Sequence, residues 1–146
     1  MYHYIESGLN TIWLANGFHR TEIEGESYVS IEDVAGLHGS IARALVACER
    51  PLQADEIRFL RVEMNMSQKA LAELLGVDVQ TVARWEKAQS SLPRMTDVML
   101  RMLYLESVNE SSRVGACLRM LAQAGVASSM EKLVFEERNH AWRRSS

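Results

Sequence analysis

Residues 66–88, MSQKALAELLGVDVQTVARWEKA, constrain the fold of this 146-residue chain more than any other stretch. Ser67 is a favourable N-cap, and Leu71, Leu74 and Leu75 follow it at helical spacing. Gly76-Val77-Asp78 interrupts the run, and Asp78 can cap a second helix that turns Val82 and Trp85 inward. Met66 and Val77 each precede a cap, and each has an apolar residue five positions later, Leu71 and Val82. This is the spacing at which an apolar pair staples a helix entry. Two short helices joined by a glycine turn at these offsets form a helix-turn-helix unit.

In such a unit the second helix enters the DNA major groove and presents its early residues to base edges. The pattern of Ser67-Gln68, Leu71-Ala72, Leu75-Gly76, Val82 and Trp85-Glu86 resembles the phage-repressor family of DNA-binding domains, Cro/C1 or XRE, over roughly residues 55–105. It departs from that pattern at Ala88, where the family usually carries Gly. A helix end without Gly costs about 1 kcal/mol and is expected to lengthen the helix slightly.

The resemblance implies that the first, second, fifth and sixth positions of the recognition helix read bases. These are Val79, Gln80, Ala83 and Arg84. The chemistry of the side chains fits that role. Arg bonds bidentately to guanine O6 and N7, Gln to adenine N6 and N7, and Val79 can meet a thymine methyl. Gln80 and Arg84 are four apart and share a helix face, with Ala83 and Lys87 also on it. The alternative is a solvated polar face of an ordinary amphipathic helix. Gln68 resembles the family glutamine that grips a phosphate and props the recognition helix. Ser67, Lys69, Lys87 and Arg94 are further phosphate candidates, and each also suits a plain surface position. Phosphate contacts fix register and supply salt-sensitive affinity without reading sequence. The family also pairs a late helix-one Arg with the Glu after the aromatic, which implies a structural ion pair between Arg61 and Glu86.

The net charge of −3 argues weakly against a nonspecific nucleic-acid binder, but its distribution matters more. Residues 1–54 hold three Arg against seven acids, residues 55–105 seven Lys/Arg against seven acids, and residues 106–146 six against five. The acid is concentrated away from the expected DNA surface, and DNA binding needs a local basic patch rather than a basic protein. Hydrophobic content of 47% allows a real core. No apolar run reaches membrane-spanning length and no signal peptide opens the chain, so the expected compartment is the cytoplasm, with no membrane partner. Cys48 and Cys117 lie far apart in apolar helical patterns and read as buried thiols. His3, His19, His38 and His140 are scattered, and no catalytic or phosphate-loop motif is present. The acids Glu22, Glu24, Glu26, Glu32 and Asp33 read as a solvated strand face. The chain is expected to be no enzyme and to hold no cofactor or metal.

The N-terminal third reads as strands over residues 2–5, 11–15, 18–23 and 27–31, with Asn16-Gly17 as a hairpin turn and Gly25 as a second turn, giving a small antiparallel meander. A helix follows over about 33–49, its face formed by Leu37, Ile41, Leu45 and Cys48, its start weakened by Gly36 and Gly39, its end set by Pro51. Helix one of the DNA-binding part spans about 54–64 and buries Ile57, Leu60 and Met64. A helix over about 96–108 carries Val98, Leu100, Met102, Leu103 and Leu105. Val114, Leu118 and Leu121 suggest another, stopped near Gly125. Residues 132–135 and 141–144 form a hairpin across Asn139-His140, with Leu133, Phe135 and Trp142 on one face.

The N-terminal part also resembles a group of bacterial two-part regulators related to MqsA-type antitoxins. The residues concerned are Tyr2-His3-Tyr4, Ser7-Gly8-Leu9, Trp13-Leu14 and Asn16-Gly17-Phe18, then Ile31-Glu32-Asp33-Val34, Gly36-Leu37-His38, and the run from Glu56 to Arg61. That likeness implies toxin binding through the N-terminal part and dimeric DNA binding. Residues 1–47 contain no cysteine, and Ser7 stands where one is expected, so a zinc site built from Cys ligands is absent there.

The expected protein is thus α+β and mainly helical. It comprises an N-terminal β-rich part with a helix (1–50), a five-helix repressor-like helix-turn-helix domain (51–108), and a C-terminal helix with a short hairpin (109–146), a candidate dimerisation element. Its expected activity is sequence-specific binding of double-stranded DNA as a homodimeric repressor on a palindromic operator. The rival is an antitoxin-type module that neutralises a protein toxin, with DNA binding secondary.

Overall fold

The computed structural model describes residues 1–109 and 134–144. The helix expected around Val114, Leu118 and Leu121, together with Cys117 and Leu133, lies outside the described residues. The elements run β1 (Tyr2–His3), a 3-10 turn (Ile5–Ser7), β2 (Trp13–Leu14), β3 (Phe18–Ile23), β4 (Glu26–Ile31) and α1 (Val34–Ala47). They continue with α2 (Ala54–Glu63), α3 (Gln68–Leu75), α4 (Val79–Glu86), α5 (Arg94–Asn109), β5 (Phe135–Arg138) and β6 (Ala141–Arg144). The protein is α+β, with about half of its described residues helical.

The strands form three separate two-stranded antiparallel ribbons, β1 with β2, β3 with β4, and β5 with β6. The expected meander is therefore corrected. Asn16-Gly17 does not close a hairpin. Gly17 takes a left-handed φ of 77° and its carbonyl accepts from Glu32 N–H at 2.9 Å, so this turn starts β3 instead of pairing it with β2. The hairpin turn is Glu24-Gly25, both at positive φ (54° and 81°), which matches the twist of the flanking strands. The C-terminal hairpin likewise turns at Asn139-His140, with φ of 52° and 63°. Its first strand is 135–138 rather than 132–135, because a two-residue turn requires the strands to begin immediately beside it.

One apolar cluster joins the N-terminal ribbon to the helices. Tyr4, Leu9 and Leu14 lie in it with Ile41, Ala42 and Leu45 of α1, Ile57, Phe59 and Leu60 of α2, and Leu100, Leu103 and Tyr104 of α5. α1 packs on α2 and on α5, and thereby supplies the fifth helix around the helix-turn-helix. Gly36 does more than weaken the start of α1. Asp33 caps that helix by accepting from Gly36 N–H at 3.1 Å, and a Cβ at position 36 would overlap the capping carboxylate. Cys48 is half-buried just beyond α1, with a free thiol.

Several polar contacts fix the joint between α1 and α2. Glu56, buried in the first turn of α2, accepts from Gln53 N–H at 2.7 Å and from both ends of the Arg50 fork at 2.7 Å each. Burial pushes the Glu56 carboxyl pKa up, but the Arg50 and Gln53 donors and the Arg50 charge outweigh it and hold it below the usual value. Asp97 on α5, also buried, accepts from Leu52 N–H at 2.8 Å. Arg101 then pairs with Asp97 at 2.6 Å and donates to the carbonyls of Val46, Cys48 and Arg50. Tyr4 and Glu63 are bridged by His38, whose Nε2 lies 2.8 Å from the Tyr4 hydroxyl and whose Nδ1 lies 2.8 Å from Glu63 Oε1.

Candidate nucleic-acid interface

α3 begins where Ser67 accepts from Ala70 N–H at 3.0 Å, as its type predicts for an N-cap. Leu71, Ala72 and Leu74 are buried along its inner side. It stops at Gly76, whose φ of 71° places the Val77 N–H 3.0 Å from the Ala72 carbonyl. Met66 and Val77, the two residues preceding the caps, are both half-buried against the core that holds Leu71 and Val82.

Asp78 is the N-cap of α4 in backbone conformation, with its carbonyl accepting from Thr81 N–H at 3.0 Å, but its side chain makes no capping hydrogen bond. The early N–H groups of α4 thus receive no side-chain acceptor from Asp78. Val82 and Trp85 are buried, at 0% and 5% exposure, and so fix which side of α4 faces out. Val79, Gln80, Arg84 and Lys87 are exposed on that outer side, and Ala83, half-buried, lies on the same side among them.

The far end of α4 departs from expectation. The helix is not lengthened at Ala88. Instead Ala88 adopts φ 58°, its N–H donates to the Trp85 carbonyl at 3.3 Å, and Gln89 N–H donates to the Arg84 carbonyl at 2.9 Å. That is the two-bond Schellman ending normally made by glycine, here made by an alanine.

A polar knot locks α4 to its neighbours. Arg61 Nε donates to Glu86 Oε2 at 2.7 Å and Nη2 to Oε1 at 2.9 Å, while Nη1 donates to the Met66 carbonyl at 2.8 Å. Gln68 Nε2 also donates to Glu86 Oε1, at 3.2 Å. The Arg61 and Glu86 side chains are only 11% and 4% exposed, so the bidentate pair is nearly dry. The Glu86 carboxylate therefore joins the end of α4 to the end of α2 and the start of α3, and the Arg61 guanidinium adds the turn before α3. Gln68 uses its amide nitrogen as a prop for Glu86, and its backbone N–H remains among the first-turn donors of α3.

Ser67, Lys69, Lys87 and Arg94 are exposed around this unit. Among the described residues, Lys69, Arg84, Lys87 and Arg94 take part in no ion pair, whereas Arg50, Arg61 and Arg101 are all committed to internal carboxylates. The cations at the α3–α4 surface are thus available to an outside anion. Sequence reasoning found Arg61–Glu86 through a family likeness. It missed Arg50–Glu56 and the Arg101 fork. A local signal existed for each, Glu three residues after Gln53 and Arg four after Asp97, but their remaining partners are fixed only by the tertiary fold. Among the described residues, no three His, Cys, Asp or Glu side chains converge as a metal site requires, and no described helix is long and apolar enough to cross a membrane.

Residues 57–99 match the family model described as Helix-turn-helix. The matched segment runs from inside α2 to the first turns of α5 and contains the whole α3–α4 unit. The chain therefore carries a Cro/C1-type helix-turn-helix of the XRE family, the DNA-binding module of transcription regulators. Neither a curated protein nor a solved structure matches the chain.

Proposed function

We propose that the protein is a sequence-specific repressor that binds double-stranded DNA as a homodimer on a palindromic operator, in the cytoplasm. The observation that carries this reading is the outer side of α4. Gln80 and Arg84 stand exposed on a helix whose other side is anchored by Val82 and Trp85 and whose end is held by the Arg61–Glu86–Gln68 knot. A rigid helix presenting one Arg and one Gln suits direct readout of guanine and adenine in the major groove. Val79 supplies an apolar contact beside them, and the half-buried Ala83 leaves room for the bases to approach. Ser67, Gln68, Lys69, Lys87 and Arg94 ring this face as phosphate contacts. One head touches too few base pairs for tight, selective binding, and two heads one helical turn apart meet a palindrome. Occlusion of a promoter is the simplest consequence. The parts 1–50, 51–108 and 109–146 serve as N-terminal module, reading head and C-terminal appendage.

The test is selection of bound sequences from a random DNA pool. Enrichment of an inverted repeat supports the reading, and retention of unselected DNA only, or of none, removes it.

A second reading rests on a separate observation. In the β3–β4 ribbon, residues 19–30 are exposed throughout, including Ile23 at 56% and Tyr28 at 49%, amid Glu22, Glu24 and Glu26. Such a ribbon suits capture of a basic protein such as a toxin, with DNA binding secondary. Co-purification of a small basic partner that survives nuclease treatment would favour it.

A further inference from the structure

Between the chain that joins α1 to α2 and the first turns of α5 lies a cavity of about 580 Å³. Small-molecule sites typically measure about 300–1,000 Å³. Three guanidiniums line it, those of Arg50, Arg94 and Arg101, and their donors are unequally spent. Arg101 gives hydrogen bonds to Asp97 and to the carbonyls of Val46, Cys48 and Arg50, which leaves it a single N–H. Arg50 turns Nη1 and Nη2 to the two oxygens of Glu56, and Nη1 also donates to the Pro51 carbonyl. Its Nε–H and second Nη2–H remain. They form the side edge of the guanidinium, a complete fork for a second anion. Arg94 takes part in no ion pair or hydrogen bond among the described residues.

The carboxylates of the wall do not cancel this supply. Asp97 already receives Leu52 N–H and Arg101 Nε on its separate oxygens, and only Glu49, which is exposed, stays unspent. Beside the cations the wall is apolar, formed by Pro51, Leu92 and Val98. We infer that this cavity binds a small organic acid, its carboxylate on the free edges of Arg50 and Arg94 and its apolar body against Pro51, Leu92 and Val98. A bare inorganic anion would satisfy the guanidiniums and leave the apolar wall wet. A neutral ligand would displace water from the fork without replacing its acceptors. Arg94 is also one of the cations proposed to meet DNA phosphate, so the acid and DNA draw on the same side chain. By linkage each then weakens the other, which makes the acid an effector of DNA binding. That effector role rests on the proposed reading of Arg94 as a phosphate contact, whereas the binding of the acid itself does not.

The experiment uses the full chain, first without DNA. Titration calorimetry at constant ionic strength follows acetate, butyrate, hexanoate, hexanol and inorganic phosphate, with circular dichroism melting as a check on the folding of each variant. Hexanoate is expected to bind saturably, and affinity to rise from acetate to hexanoate by about three- to fourfold per methylene buried. Hexanol and phosphate are each expected to bind at least about tenfold more weakly than hexanoate. Arg94→Gln breaks no ion pair among the described residues and should weaken hexanoate at least about tenfold. Arg50→Lys keeps a charge for Glu56 but loses the second fork, and should weaken it too. Glu49→Gln should tighten it, by removing the unspent carboxylate. No saturable binding of hexanoate up to about 10 mM overturns the inference. So does equal binding by Arg94→Gln and the parent, which would place the acid elsewhere, and phosphate binding tighter than hexanoate overturns the class of ligand. Binding of the selected operator is then measured with and without hexanoate. A loss of DNA affinity in the parent and none in Arg94→Gln supports the effector role, and an unchanged parent overturns it. If Arg94→Gln loses the acid yet keeps full DNA affinity, the cavity assignment stands and Arg94 leaves the phosphate contacts instead.

Discussion

Arg84 and Lys87 are three residues apart on the same exposed side of α4, yet they are expected to behave differently. Arg84 is the sixth of the eight residues of α4, and the proposed docking sets it against base edges. Arg84→Ala should weaken the preferred site by roughly 1–3 kcal/mol and relax selection at one base pair, a guanine. Lys87 is the C-cap residue of α4, and the proposed docking sets it against backbone phosphate rather than base edges. Lys87→Ala should weaken all sequences alike and lower the salt dependence by about one counterion per head. Binding titrations across operator variants and salt concentrations separate the two, and equal losses on specific and random DNA for Arg84→Ala would show that Arg84 touches phosphate. Ala88 gives a test of stability alone. A left-handed alanine costs on the order of 1 kcal/mol relative to glycine, and part of that is offset because glycine loosens the unfolded chain. Ala88→Gly should therefore raise stability by about 0.5–1 kcal/mol in denaturant unfolding without altering sequence preference. The sequence showed that the usual glycine was missing. It did not show that the backbone would keep the glycine conformation regardless, because that is set by the Gln89 and Ala88 hydrogen bonds across the helix end.

The helices were legible to within a residue or two wherever a cap and a periodic apolar run coincided, as for α3 with Ser67 and Leu71, and for α4 with Val82 and Trp85. The ribbons were less so. Asn16-Gly17 and Glu24-Gly25 both take turn conformations, and only tertiary contact decides which one closes a hairpin. Local sequence cannot express the bond from Glu32 N–H to the Gly17 carbonyl that settles it. The dual character of α5 was hidden for a similar reason. Val98, Leu100, Met102, Leu103 and Leu105 look alike as an apolar supply, and only packing divides them into a covered and an uncovered face. The first turn of α2 carries a prediction about pH. Glu56 has its pKa held below the ordinary value in the folded protein, so the stability it contributes is present above the unfolded carboxylate range and is lost as pH falls through the lower folded value. Acid unfolding should thus begin below about pH 4, the unfolded glutamate range. Glu56→Gln should be less stable than the parent at neutral pH, and its stability should fall less steeply on acidification. Chemical denaturation between pH 3 and 7 checks this, and parallel pH profiles for the two proteins would show that other carboxylates govern the acid limb.

The N-terminal part and the reading head share one apolar cluster, and Arg101 is the polar counterpart of that continuity. From α5 it reaches the carbonyls of Val46, Cys48 and Arg50, so a single guanidinium holds the strand of chain that leads from α1 into α2. Its partner Asp97 is buried and also receives Leu52 N–H, which pins the same strand from the other side. Removing Arg101 strands a buried carboxylate and leaves three carbonyls without this donor. For a nearly dry pair of this kind the loss is about 3–5 kcal/mol, and Arg101→Ala is expected to approach it. Arg101→Lys should recover little, since a compact ammonium on a flexible stem cannot reproduce a planar fork that serves four acceptors at once. Glu86→Ala should cost a similar amount by stranding Arg61, but the two losses should appear in different places. Amide hydrogen exchange is expected to rise first across residues 46–52 in Arg101→Ala, and first across α3 and α4 in Glu86→Ala. If Arg101→Ala instead opens α3 and α4 as readily as the α1–α2 joint, the clamp is not local, and the N-terminal part and the reading head unfold as one cooperative unit.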